Sequence, residues 1–408
     1  QIMSDEIINL LGADNIPDSA YTDLTQSRLI RLELEEMIQA IYILADGDLL
    51  LPVADSSVDA VTVGQVADLN DLNSEITKKL ISQTIIDNID ADMPEGESRV
   101  PLDAYSIDDP TRLSDTELDA MIEALLIIAN NDDTQVVSSL NFSEINVGQV
   151  KELSTVNSYI IKQVLTDEIK KNLDPDDEGK VPVDAYENDD PNGRLKHAEI
   201  DAMVVALLVL ANQDPDILIT DISTDVTVGQ ALELRDGTGT PGETVGLDSL
   251  IIQQIMSDEI INLLGVDNIP SSSYTDVTET RLLRIELEEM IEAIYILADG
   301  NTLLLVADLE TDDITVGQVA DLNDLNSNIT KKLISQTIID NIDADMPEGE
   351  SRVPAAAYSI EEPTRLSDDE IDGMIEALLI IAKGDETDRK STRLKSSKRI
   401  RPRMPSSA

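Results

Sequence analysis

The stretch TVGQVADLNDLNSEITKKLISQTIIDNID, residues 62–90, sets the fold class. Thr62 followed by Gln65 is a capping box, in which the hydroxyl accepts the N–H of the third helical residue and the glutamine side chain accepts that of the cap. A short helix is expected to start there. From Ser74 to Ile89, Ile76, Leu80, Ile85 and Ile89 recur at helical spacing and predict a second, amphipathic helix, followed by an acidic loop. Downstream, Pro101 and Pro110 keep the chain extended or turning, because proline lacks the donor that a helix interior needs. Ser114 and Glu117 read as another capping box, and behind them Leu118, Met121, Ile122, Leu125 and Ala129 form the apolar stripe of a third helix. Asn130-Asn131-Asp132 ends it. Spacers such as Leu49–Val53 and Ile217–Ile222 read as short β-like runs that could pair locally but do not make a sheet. The fold class is therefore all-α, built from small bundles of about three helices with an acidic loop and short extended spacers.

This pattern repeats. Thr/Asn-Val-Gly-Gln occurs at 62–65, 146–149, 227–230 and 315–318, and its glycines lie 84, 81 and 88 residues apart. Displacing the chain by the total, 253 residues, lays Val66–Pro101 on Val319–Pro354 with a single difference, Glu75 against Asn328. A second signature closes each unit: Pro, then Tyr, then Arg-Leu, then Glu and Met on a helix. Its copies hold Tyr21, Arg28 and Glu33; Tyr105, Arg112 and Glu117; Tyr186, Arg194 and Glu199; Tyr274, Arg281 and Glu286; and Tyr358, Arg365 and Glu370. Tandem repeats of about 84 residues are expected over 1–60, as a truncated unit, then 61–143, 144–224, 225–312 and 313–387, with 388–408 as a separate tail.

The chain of 408 residues is 41% apolar but only 2% aromatic, so its cores must be aliphatic. With 82 acidic against 29 basic residues the formal charge is −53; Asp388–Ala408 holds eight of the bases and one acid, so the remainder carries −60. Such a field repels phosphate backbones and anionic lipid and argues against nucleic acid as a partner. Cysteine is absent and His197 is the one histidine, which removes disulfides, thiol nucleophiles, Cys/His zinc sites and histidine triads. The longest strongly apolar run, Ala202–Ala211, is about half a membrane span, so no membrane insertion is expected. Gln1 is not an initiator, and no charged segment with an apolar stretch follows it, so the sequence reads as part of a longer frame, with no signal peptide within these residues and room for one upstream.

Chemistry must be sought in the acidic loops and the closing signature. Asp174, Asp176 and Glu178, with Gly179, follow the first half of an EF-hand loop, but Ala185 stands where a bidentate glutamate is needed and Pro182 bars the helix that would follow. The loops Asp90, Asp92, Glu95, Glu97 and Asp343, Asp345, Glu348, Glu350 fit that spacing less well. A solvated acidic turn is the favoured reading: no cofactor is expected, and calcium only as a weak ligand. Paired carboxylates are too abundant to mark acid–base catalysis. An active site also needs a unique constellation, whereas every distinctive residue here recurs, so no enzyme is expected. His197 reads as an exposed residue near a helix start. In the five Tyr–Arg–Glu sets, the favoured reading is structural, with Tyr anchoring the extended segment and Arg neutralising carboxylates or capping carbonyls. The rival reading is a recognition surface repeated on one face of a solenoid.

Absent cysteine, high acidity and nearly identical duplications together resemble the repeat regions of large bacterial surface or secreted proteins. That resemblance implies a structural spacer, stalk or display array at or outside the bacterial cell surface, whose partners are neighbouring repeats of the same chain. An adhesin-like module for a protein or glycan ligand, and a calcium-stabilised array, are the alternatives. The tail, DRKSTRLKSSKRIRPRMPSSA, resembles the peptide translated from a short-read sequencing adaptor, with Lys395 and Lys398 where Asn and His are usual. That likeness implies an artefactual, disordered segment.

Overall fold

The computed structural model describes residues 1–22, 28–48, 50, 60–94, 96–173, 181–190, 193–223, 225–236, 246–275, 280–347 and 350–382. Among them are fourteen α-helices and, in place of any sheet, isolated bridges. The tail at 388–408 and nearly all of the spacer Leu49–Val53 lie outside the described residues. The spacer Ile217–Ile222 makes one bridge, through Leu218, and a short 3-10 turn. The chain divides into two compact units, Gln1–Ile222 and Ser223–Ala408.

The first unit contains α1 (Ile2–Leu11), α2 (Arg31–Leu44), α3 (Val63–Asn70), α4 (Glu75–Ile89), α5 (Asp115–Ile128), α6 (Val147–Leu153), α7 (Tyr159–Leu173) and α8 (His197–Leu210). The second contains α9 (Val228–Asp236), α10 (Leu250–Leu264), α11 (Arg284–Leu297), α12 (Val316–Asn323), α13 (Asn328–Asp343) and α14 (Asp368–Ala382). No helix of the described residues is long and apolar enough to cross a membrane.

The capping chemistry read from the sequence starts these helices. Reciprocal boxes join Thr62 to Gln65, Asn146 to Gln149 and Thr315 to Gln318, while Ser74, Ser249 and Ser327 accept N–H bonds at the heads of α4, α10 and α13. In α4 the apolar face turns slightly from the expected one. Ile81 fills the core beside Ile76, Ile85 and Ile89, and Leu80 is left half-buried at the rim. Both residues fit a helical stripe, and the packing of the neighbouring helices decides between them.

Behind α5 the chain returns to the head of α3. Val63 and Gly64 donate to the carbonyls of Gln135 and Asp133 at 2.9 and 2.8 Å, so N–H groups that no helix can satisfy find partners in the spacer. Val147 and Gly148 do the same with Ile217 and Pro215, and Val228 and Gly229 with Leu304 and Thr302. This approach explains the glycine of the motif. A Cβ on Gly64 or Gly148 would lie 3.2 Å from a backbone oxygen, and on Gly229 2.9 Å, whereas on Gly317 it meets nothing nearer than Thr315 Oγ1 at 3.9 Å. Gly229→Ala is therefore expected to lower the stability of the Ser223–Ala408 unit by about 1–2 kcal/mol, and Gly317→Ala to raise it by about 0.5–1 kcal/mol through helix propensity. Urea unfolding of the two variants checks the opposite signs.

Two of the five Met-bearing helices, α5 and α11, lie between two helix pairs. In the first unit α5 packs on α3 and α4 and also on α6 and α7; in the second, α11 packs on α9 and α10 and also on α12 and α13. Accordingly α5 buries two stripes, Leu118, Ile122 and Leu125 on one side and Glu117, Met121, Ala124 and Ile128 on the other.

Candidate functional site: a carboxylate joining successive helices

The third residue of each of these Met-bearing helices is a glutamate, and in three of them its carboxylate caps a different helix. Glu117, 2% exposed, accepts the Ser158 hydroxyl, the Tyr159 N–H at 3.1 Å and the Ile160 N–H at 2.9 Å, all at the head of α7. Glu33 treats Ser74 (2.5 Å) and the Glu75 N–H (3.1 Å) in the same way, and Glu286 treats Ser327 (2.6 Å) and the Asn328 N–H (3.1 Å). A buried carboxylate without partners would be costly; here it meets the unpaired N–H groups and positive dipole end of a helix.

The other end of the same interface is held by the capping-box glutamine. Its Oε1 closes the box, and its amide donates to the last carbonyls of the preceding Met-bearing helix. Gln65 reaches Ile43 O at 3.0 Å, Gln149 reaches Ile128 O at 3.1 Å and Gln318 reaches Leu297 O at 3.1 Å. Polar contacts thus bracket an aliphatic stripe centred on methionine.

This geometry corrects the reading of Ser114 and Glu117 as a reciprocal capping box. Ser114 Oγ does accept the Glu117 N–H at 3.2 Å, but the Ser114 N–H goes to Ala104 O at 2.9 Å. With that donor already satisfied, the carboxylate is free to serve α7.

The Tyr–Arg–Glu sets are distributed through the structure as follows. Tyr21, Tyr186 and Tyr274 are buried, and Tyr105 and Tyr358 half-buried. Glu33, Glu117, Glu199 and Glu286 are buried, whereas Glu370 is exposed. Arg112 and Arg365 are buried, Arg194 and Arg281 half-buried, and Arg28 exposed. Arg112 bonds Glu75 at 3.0 Å, Asp115 at 2.8 Å and the Leu113 carbonyl at 2.9 Å, so it turns away from Glu117. Arg194 lies 5.0 Å from the centre of the Tyr159 ring and pairs with Asp103 and Glu187. His197 opens α8 with its side chain 58% exposed.

The single difference between the displaced segments has a structural consequence. Arg365 keeps the bonds to Asp368 (2.6 Å) and Leu366 O (3.0 Å), but its Nε is buried without a partner, because Asn328 stands where Arg112 finds Glu75. Asn328→Glu is expected to restore that pair and stabilise the second unit by about 1 kcal/mol, read from the urea midpoint. The Lys78 ammonium, with Arg112, holds the Asp115 carboxyl below its ordinary range, and Lys331 with Arg365 does so for Asp368.

Among the described residues, two of the acidic loops hold an arginine of their own. Asp90 accepts the Arg99 N–H at 2.8 Å and Asp92 pairs with the Arg99 guanidinium; Asp343 and Asp345 hold Arg352 likewise. Glu95, Glu348 and the loop with Asp174, Asp176 and Glu178 lie outside the described residues.

Glu259 is different. Burial, with Asp225 and Asp258 nearby, raises its pKa from 4.5 to about 7. A carboxyl whose pKa is raised on folding favours the folded state most below pH 4.5, and that contribution is lost as pH rises through 7. Glu259→Gln is expected to stabilise the second unit by about 1–2 kcal/mol near pH 8, less than the full shift because water reaches the group, and to change little near pH 5. Melting at the two pH values checks this. Family models, curated proteins and solved structures give no match to the chain.

Proposed function

We propose that the chain is a non-enzymatic structural array: tandem repeats of about 84 residues, each of about three helices, serving as spacer, stalk or display segment of a larger exported bacterial protein. The observation that carries the reading is the glutamate contact. The most distinctive buried polar residues, Glu33, Glu117 and Glu286, are engaged in joining one helix group to the next. The partner of each repeat is its neighbour. Burial of Tyr21, Tyr186, Arg112 and Arg365 favours this reading over an adhesin surface, which would present these side chains in register. A cleft of about 450 Å³ lined by Leu264, Asp312, Lys332, Gln336 and Asp340 among others offers no aromatic face for a sugar ring.

The test is a deletion of residues 62–145, which joins Val61 to Asn146 and brings Ser158 to the 41-residue separation from Glu33 that Ser74 has now. The shortened chain should keep its helicity per residue and a cooperative melt. Loss of both would overturn the repeat reading. On a glycan array the intact chain should give no saturable signal; a signal abolished by Arg112→Ala or Arg194→Ala would favour the adhesin instead.

A further inference from the structure

By the 253-residue displacement, α14 corresponds to α5, with Glu370, Met374, Ala377, Leu378 and Ile381 in the places of Glu117, Met121, Ala124, Leu125 and Ile128. In α5 all five are buried, with α6 and α7 packed on one side of the helix. In α14 the side towards α12 and α13 is covered, and Ile371 and Ile375 are buried as Leu118 and Ile122 are. On the opposite side the described residues leave side chains of α14 uncovered. Glu370 and Ala377 are exposed, Met374 only half-buried, and Ile381 is 72% exposed where Ile128 is 7%. The last turn of α14 adds Ile380, 63% exposed.

A carboxylate at the head of an uncovered aliphatic stripe is one half of a contact that the molecule completes elsewhere. At each completed place the occupant has the same chemistry: a short helix headed by Thr/Asn-Val-Gly-Gln, then a helix headed by serine. The pair α3–α4 covers α2, α6–α7 covers α5, and α12–α13 covers α11.

We infer that the open face of α14 is a docking surface for a helix pair of the α6–α7 kind. The serine hydroxyl of that pair and the two N–H groups behind it donate to Glu370. Its glutamine amide donates to the carbonyls of Ile380 and Ile381, as Gln149 does to those of Ile127 and Ile128. Its aliphatic side chains cover Met374 and Ile381. Complementarity is specific because the hydrogen-bonding ends fix the register of the apolar stripe between them. The inference rests on the repeat reading.

The experiment replaces residues 383–408 with a copy of residues 130–222, which continues the 253-residue register behind Ala382. In this fused chain Glu370→Ala should lower the melting temperature by about 5 °C or more, and in the parent chain it should leave it unchanged. Equal responses in the two chains overturn the inference. In a second measurement, calorimetry follows a peptide of residues 144–173 added to the parent chain. Glu370→Ala in the chain and Ser158→Ala in the peptide should each weaken binding at least about tenfold. No binding, or binding indifferent to Glu370, counts against the docking surface. Self-association of the parent chain that the peptide does not displace assigns the face to a second copy and also overturns it. If the 62–145 deletion folds while the fused chain ignores Glu370→Ala, this inference alone fails; if that deletion unfolds the protein, the repeat reading fails first.

Discussion

Replacing Met121 with aspartate is expected to destabilise the Gln1–Ile222 unit by about 3–5 kcal/mol. Met121 is fully buried, on the stripe of α5 with α6 and α7 packed against that helix, and its sulfur lies 3.5 Å from Ser158 Oγ. A carboxylate there would lose its water and gain no cation. One turn away, on the same stripe, stands Glu117, already committed to three donors of α7, so the two negative groups would also repel each other. Two controls separate burial from composition. Glu123→Ala, on the exposed side of α5, should stay within about 0.5 kcal/mol. Met374→Asp, at the corresponding but half-buried place in α14, should fall between the two. Urea unfolding measures all three, and equal small losses would show that α5 is a solvated connector.

Glu117→Ala is expected to remove about 3 kcal/mol from the same unit, more than the loss of one ordinary hydrogen bond. The substitution strips the Ser158 hydroxyl and the Tyr159 and Ile160 N–H groups of a shared acceptor in a place that water does not reach. It also leaves the positive end of α7 without its counter-charge. Glu370→Ala supplies the comparison within one molecule: same residue, same helix position, exposed carboxylate, and an expected change within about 0.5 kcal/mol. If both variants melt alike, the contact seen around Glu117 is geometrically present but energetically idle.

What could be read in advance was whatever acts over a few residues. The capping boxes at Thr62, Asn146 and Thr315 depend on neighbours three positions away and appear as expected, whereas the single stripe expected through Met121 is two, with Leu118, Ile122 and Leu125 on one side of α5 and Met121 on the other. The Ser114–Glu117 pair shows the limit. Its backbone half is local and present, whereas its carboxylate goes to a helix whose head is 41 residues downstream, where no periodicity argument reaches. A signal did exist: Glu and Ser are separated by 41 residues at 33/74, 117/158 and 286/327, a constancy visible once the copies are aligned. The second task of Gln65, Gln149 and Gln318 was hidden for the same reason. Choosing Leu80 over Ile81 failed because both satisfy a helical period, and only the neighbours packed around α4 distinguish them.

The 41-residue reach of the glutamate also gives the chain a direction in time. During synthesis α5 can close on α3 and α4 as soon as it emerges, but its second stripe stays wet until Ser158 and α7 follow from the ribosome. Consolidation therefore runs vectorially, from the amino towards the carboxyl end, with α2, α5 and α11 each completed by the segment made after it. Because every such closure is short in sequence, no step waits for a distant partner, and a nascent chain exposes one unfinished stripe at a time instead of many.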